Sequence, residues 1–464
     1  MESTLACLAA WMPRQRWYAA KGRPPALRLV AWWDAPAVAG AESDAGATFE
    51  ARVRTFLVAD DGSQPSVLYQ VPVVARATAG VDASADHIIG SPEPGTTYID
   101  GPFDPAYSRA LLEIVTRGGA GEGPDAVAVG QPIRTVAPDG VARTAAVLSG
   151  EQSNTSIIYR GDGAMPIICK VFRQLHAGLN PDIELQSALA DAGSTHVPRA
   201  VGSVDGTWPG TGGTPVSGSL AFAQEFLPGV EDAWRVALHA AARGEDFRDR
   251  ARALGAATAD VHLSLAELFP IRPCAPSDRA ATTATWHRRL GIAISEVPAI
   301  ADRRAAIETV YARAMEVAWP PLQRIHGDYH LGQVLQDPHR GWVLLDFEGE
   351  PLRPMAERIQ PDLALRDVAG MLRSFDYVAG SIRLDRPDRG EAVRDWAQRS
   401  RAAFVEGYAA TSGETGDEDS PLLAALELDK AVYEAIYEAR NRPTWVTIPL
   451  RAIARLVDGP ARVG

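Results

Sequence analysis

Within "RIHGDYHLGQVLQ", residues 324–336, two histidines, an aspartate and a glutamine fall inside eight positions, His326 to Gln333. Asp328 and Gln333 are five apart, and thirteen residues beyond Gln333 the apolar run "VLLDFEG" delivers Asp346. A carboxylate can take a proton from a hydroxyl, while an amide oxygen and a second carboxylate suit a hard divalent cation. Together they are equipment for moving a phosphoryl group. Two other readings compete. His326 and His330, four apart, would share a helix face and could ligate zinc, but no HExxH and no third ligand stand nearby. A polar structural loop is the other.

Upstream residues favour phosphoryl chemistry. "LSGEQSNTSIIYR" reads as strand, small polar turn and strand, in which Gly150, Ser153, Asn154, Thr155 and Ser156 could offer N–H groups and hydroxyls to phosphates. It is neither a Walker A loop nor a G-x-G-x-x-G, so alone it is equally a plain hairpin turn. "PIICKVF" follows, with Lys170 in mid-strand, the place of a lysine that holds α- and β-phosphates. Glu184, fourteen residues on, is the expected ion-pair partner of that lysine. In "FAQEFLPG" the backbone of Gln224, Glu225, Phe226 and Leu227 is expected to pair with adenine. With Asp328 as base and Gln333 and Asp346 as metal ligands, the expected cofactors are ATP and Mg2+.

The elements that must hold these groups follow from the rest of the chain. At 464 residues, with 46% hydrophobic and 22% charged residues, two or three packed soluble units are expected. Residues 1–90 carry short runs such as "LRLVAWW" and "VLYQVPVVA" broken by turn signals, a β-rich unit. Residues 91–228 begin with the amphipathic "DPAYSRALLEIVTRG" and the Gly-rich "GGAGEGPD", read as a flexible connection, before the strands of the phosphate turn and lysine. Residues 229–464 turn helical, with "SGETGDEDSP" as a solvated loop, so the fold class is α+β. A net charge of −12 argues against nucleic acid as partner. No run approaches 18 apolar residues, so no membrane span is expected. Cys7, Cys169 and Cys274 show no CxxC spacing, which fits a reducing cytoplasm.

Lys430, Tyr433 and Tyr437 fall at i, i+3 and i+7 on one helix face. Periodicity alone places the tyrosines in a core and the lysine in solvent. A wider resemblance bears on this. "WMPRQRWYAAKGR", "EQSNTSIIY", "KVFRQLHAGLNPDIEL", "HGDYHLGQVL", "LLDFEGEP", "LRDVAGMLRSFDY" and "LDKAVYEAIYEARNRPTWVTIPL" resemble the actinobacterial maltokinases, nearly end to end. Where the common loop has Leu after the aspartate, this chain has Tyr329.

The resemblance implies a bilobal protein-kinase-like, aminoglycoside-phosphotransferase-like fold with an N-terminal cap subdomain and a mostly helical C-terminal lobe. It implies phosphorylation of maltose at the anomeric hydroxyl, a product that feeds α-glucan synthesis, and a possible association with trehalose synthase. It also implies that Lys430, Tyr433 and Tyr437 contact the sugar, with Arg442 and Trp445 as secondary contacts. Asp367 is expected to hold the catalytic loop, and "RQRWY", Arg14 to Tyr18, to be structural. Glu348, where D-F-G has glycine, could bind metal through water or brace the loop. Two rivals stand beside this. One is a kinase of the same fold acting on glucosamine or an aminoglycoside, for which the lysine of the acceptor helix is unfavourable. The other is a nucleotide-binding pseudokinase, which would have lost one of Lys170, Asp328, Gln333 or Asp346.

Overall fold

A computed structural model describes residues 1–36, 51–79, 81–82, 85–133, 141–148, 153–350, 353–413 and 420–458. Gly150 and most of the "SGETGDEDSP" loop lie outside the described residues. The chain divides into two compact units, residues 1–184 with 198–228, and residues 185–197 with 229–464.

Among the described residues the first unit is built on a thirteen-stranded antiparallel sheet. One half holds Leu27–Asp34, Arg52–Asp60, Val67–Ala77, Ile88–Glu93 and Thr96–Asp100. Helix Glu2–Trp11, which β-like patterning did not announce, covers it and buries Leu8 and Trp11. Trp17 and Tyr18 of "RQRWY" belong to the same core, and Tyr18 Oη donates to Asp60 Oδ2 at 2.5 Å. The other half runs Val127–Pro132, Ala200–Pro209, Pro215–Glu225, Ile167–Phe172, Asn154–Arg160 and Thr144–Val147. Gln174–Leu175 pairs with Val67–Ala77. The predicted amphipathic helix is Pro105–Arg117. Asp104 caps its start by accepting from Ala106 N, and Gly118 ends it at φ +76°.

The Gly-rich segment 118–125 differs from expectation. Ala120–Glu122 is a strand that pairs with Val127–Pro132 and, through Glu122, with Asp34. Its glycines serve close approach rather than flexibility. A Cβ on Gly121 would lie 2.3 Å from the Trp33 ring, and one on Gly123 only 1.8 Å from the Trp32 carbonyl oxygen.

The second unit is helical, with one small sheet, Glu231–Asp232, Val334–Asp337 and Gly341–Leu344. Its core joins Trp286, Tyr311, Phe247, Phe375, Phe404 and Leu428, from helices far apart in sequence. Buried charges here are paired. Arg373 binds Glu434, and Arg401 binds Glu427, which also receives Arg455. Among the described residues no helix is long and apolar enough to cross a membrane.

Gly123→Ala is expected to force apart the backbone contact with Trp32, costing about 1–3 kcal/mol and lowering the thermal midpoint by a few degrees. An unchanged melting curve would show that the strand relaxes freely.

Candidate active site

The loop 324–333 has little regular structure, so side chains must fix it. Asp367, in the first turn of helix Leu365–Asp385, accepts from His326 N at 2.8 Å and from Gly327 N at 2.9 Å. The same carboxylate meets His262 Nε2 at 3.1 Å, and His262 Nδ1 lies 3.0 Å from Tyr408 Oη. Tyr329 is buried, its hydroxyl 2.8 Å from Thr258 Oγ1. Thr258 donates to Leu254 O, so the tyrosine is the donor in that pair. Leu331 N donates to Ser374 Oγ at 3.1 Å. Asp328 is therefore held by backbone anchors on both sides.

The histidines brace this loop. His326 Nδ1 accepts from Asp328 N at 3.4 Å, which leaves Nε2 to donate to Leu345 O at 2.8 Å. Its ring packs on Tyr329 and Phe347, with centroids 5.2 and 4.7 Å away. His330 Nδ1 accepts from Gly332 N at 3.0 Å. With both nitrogens of His326 spent on backbone, the zinc alternative lacks its first ligand.

Asp346 follows strand Gly341–Leu344 at φ +66°, a left-handed conformation that a residue other than glycine rarely adopts. Gln333 Nε2 donates to Asp346 Oδ2 at 2.9 Å, and Leu345 N donates to Gln333 O at 2.9 Å. An amide beside a carboxylate is a donor set that fits a hard divalent cation.

Next to Asp328 lies a cavity of about 20 Å³, room for one water, lined by Arg289, Glu350, Arg366, Asp429 and Lys430 among others. Lys430 points into it. Its Nζ is 3.4 Å from Asp328 Oδ1, 3.3 Å from Glu350 Oε1 and 5.2 Å from the centre of the Tyr433 ring. Burial pushes the Asp328 carboxyl up, but Lys430, with His330 and His326, outweighs it and holds it below the ordinary range. Glu350 is held down likewise, burial being outweighed by Lys430 and Arg289. Burial works against the Lys430 ammonium, yet Glu350 and Asp328 prevail and raise it. Arg289 binds Asp429 Oδ2, while Asp429 Oδ1 is buried with no donor among the described residues, and burial keeps this carboxyl raised. Tyr433 is pushed up to about 12 by burial and Glu350. Tyr437 is 42% exposed, and Arg442 packs over both its ring and that of Trp445.

Sequence reasoning set a lysine against a carboxylate-rich pocket. The structure removes that contrast, since Lys430 arrives with two carboxylates. Arg289 and Asp429 are 140 positions apart, so no spacing could announce them. Glu350 sits two residues beyond Glu348 in a motif already singled out.

In the first unit, Lys170 Nζ donates to Asp182 Oδ2 at 2.9 Å, the carboxylate being almost fully buried. Asp182 lies in the first turn of helix Pro181–Asp191, two positions before the predicted Glu184, and its own N–H donates to Asn180 Oδ1. The predicted turn narrows. Thr155 and Ser156 are buried inside strand Asn154–Arg160, and the Thr155 hydroxyl accepts from Arg173 Nε at 2.9 Å. Ser153 is exposed and Asn154 half-buried at the strand's start. Gln224 and Glu225 end strand Pro215–Glu225. Glu225 N donates to Arg199 O at 2.8 Å and Phe226 N to Pro166 O at 2.9 Å, so neither N–H is available to adenine.

A sheet unit presenting a paired lysine and a helical unit presenting this loop define a phosphotransferase of the protein-kinase-like class. Residues 11–104 match the maltokinase N-terminal cap domain and residues 144–420 the phosphotransferase enzyme family; the chain belongs to that family. A glucosamine kinase of Streptacidiphilus jiangxiensis is 31% identical over 364 residues, 75% of this chain and 80% of the relative. One of Mycolicibacterium smegmatis is 30% identical over 333 residues, 68% of this chain and 80% of the relative. A solved glucosamine kinase in complex with glucosamine, ADP and inorganic phosphate is 25% identical with a TM-score of 0.67, covering 97% of this chain and 98% of its own. Another crystal form reaches 0.70 at the same 25% identity, covering 98% and 99%.

Because Asp328 is depressed and Lys430 raised, the stabilisation of their pair is complete above about pH 3.9 and below about pH 10.4, the ordinary values of the two groups. It is lost only as pH falls through the first folded value or rises through the second. Lys430→Met removes the largest influence holding Asp328 down and leaves burial opposed by His330 and His326 alone. The acid limb of kcat/KM against pH is then expected to move to higher pH. An unmoved limb would show that another group sets it.

Proposed function

We propose that this protein transfers the terminal phosphoryl group of ATP to the anomeric hydroxyl of maltose, giving maltose 1-phosphate for α-glucan synthesis. Asp328 takes the proton from the hydroxyl as its oxygen bonds to the terminal phosphorus. The bond from that phosphorus to the β-phosphate oxygen breaks, and ADP leaves with the electron pair. Lys170, oriented by Asp182, holds the nucleotide phosphates, and the Leu227 backbone pairs with adenine. Asp346 with Gln333 would hold the magnesium that ATP brings, which neutralises phosphate charge.

The observation that carries the maltose reading is the charge pattern of the cavity. Asp328 and Glu350 meet Lys430, Asp429 meets Arg289, and Asp367 meets two backbone N–H groups. Carboxylates already provided with partners suit an uncharged polyol. The match of residues 11–104 to the maltokinase cap supports the same reading. The glucosamine kinase relatives favour a second one, an amino sugar as acceptor.

ADP release measured over maltose, glucosamine, glucose and trehalose is expected to be highest with maltose, with phosphorus NMR placing the product phosphate on C1. Absence of maltose-dependent ADP release would sink the proposal, and preference for glucosamine would replace it with the second. Asp328→Asn should lower turnover at least about 100-fold while ATP binding stays nearly intact; near-normal turnover would remove Asp328 as the base.

A further inference from the structure

The acceptor cavity already contains a primary ammonium. Lys430 Nζ lies 3.4 Å from Asp328 Oδ1, 3.3 Å from Glu350 Oε1 and 5.2 Å from the centre of the Tyr433 ring. Two carboxylates and an aromatic face form the kind of set that recognises an alkylammonium ligand. Glu350 is only 10% exposed and Lys430 27%, so water screens these contacts poorly. We infer that Lys430 is a specificity-determining residue: its side chain fills the amine-recognition position of the acceptor site, so the protein takes a neutral sugar and refuses an amino sugar.

An incoming amine has two routes, and both fail. Beside Lys430 it would place a second cation a few ångströms from the first in a poorly hydrated cavity, and like charges there repel strongly. Displacing Lys430 means competing with a group tethered to its own site, whose effective concentration exceeds that of a free sugar at ordinary levels. A hydroxyl meets neither obstacle. An ammonium has three donors; two can serve Asp328 and Glu350, which leaves one for a sugar oxygen. The cavity thus offers a donor to an uncharged hydroxyl, while its carboxylates already hold a cation or a backbone N–H and leave none free for an amine. This rests on the reading above in which Asp328 is the base and the cavity belongs to the acceptor.

The test compares wild type with Lys430→Met, which keeps the length and apolar stem of the side chain, by ADP release with maltose, glucose, glucosamine and N-acetylglucosamine. The three hexoses share one ring, so the amine alone is varied. In Lys430→Met the ratio of kcat/KM for glucosamine to that for glucose is expected to rise about tenfold or more. N-acetylglucosamine, which is uncharged, should show no such gain, and Lys430→Arg should return the ratio toward wild type. A merely structural role would lower all rates together and leave the ratio unmoved. Should Lys430→Met fold poorly or turn over too slowly, Lys430→Gln is the second variant, and calorimetric titration with glucosamine and glucose reads the same ratio without turnover. A wild type that prefers glucosamine to maltose would overturn the maltose reading itself. A wild type that prefers maltose, with a ratio unchanged in both variants, would overturn only the role of Lys430.

Discussion

The site depends on one buried carboxylate. Asp367 is 1% exposed, and a carboxylate removed from water that far survives only if its oxygens are matched. Two consecutive loop amides, those of His326 and Gly327, and the His262 ring do the matching. Because Asp367 sits on helix Leu365–Asp385, the loop inherits the rigidity of a helix packed in the core. Asp328 is the next residue along, so its carboxylate has little freedom left to choose a position. Thr258 and His262, one turn apart on helix Arg248–Leu268, anchor Tyr329 and Asp367 respectively. A single helix thereby supports both flanks of the proposed base.

The same economy of charge governs the cavity. In a poorly hydrated site an unpaired ion is costly, so cations and carboxylates accumulate together rather than singly. Lys430 with Asp328 and Glu350, Arg289 with Asp429, and Arg373 with Glu434 form a chain of pairs along one side of helix Pro421–Asn441. For Asp328, Lys430 with His330 and His326 outweighs burial, which is how a buried base is held below its ordinary range.

What the sequence disclosed was whatever is local in the chain. Asp328, Gln333 and Asp346 were legible because loop and strand place them at fixed short intervals, and Gln333 and Asp346 do meet. Strands such as Asn154–Arg160 and Ile167–Phe172, and helix Pro105–Arg117, carried their own periodicity and boundary residues. Arg289, Arg366 and Asp429 could not be found this way, since only tertiary packing brings them to Asp328. The segment 118–125 was misread because glycine signals both looseness and close contact, and only the neighbouring Trp32 and Trp33 decide between them. Thr155 and Ser156 were read as part of a turn because a turn and a strand start look alike in sequence, whereas both lie buried inside strand Asn154–Arg160.

Gly327 and Gly349 carry a mechanical consequence. Both are left-handed, at φ +85° and +73°, and a Cβ on Gly327 would lie 3.1 Å from the Gly349 Cα. The loop that bears Asp328 and the loop that bears Asp346 therefore touch backbone to backbone, with no side chain as a cushion. Asp346 is itself left-handed, and Phe347 beside it is buried. The approach of the two backbones limits how near these loops can come, and a side chain at Gly327 would have to be met by a shift of a few tenths of an ångström between them.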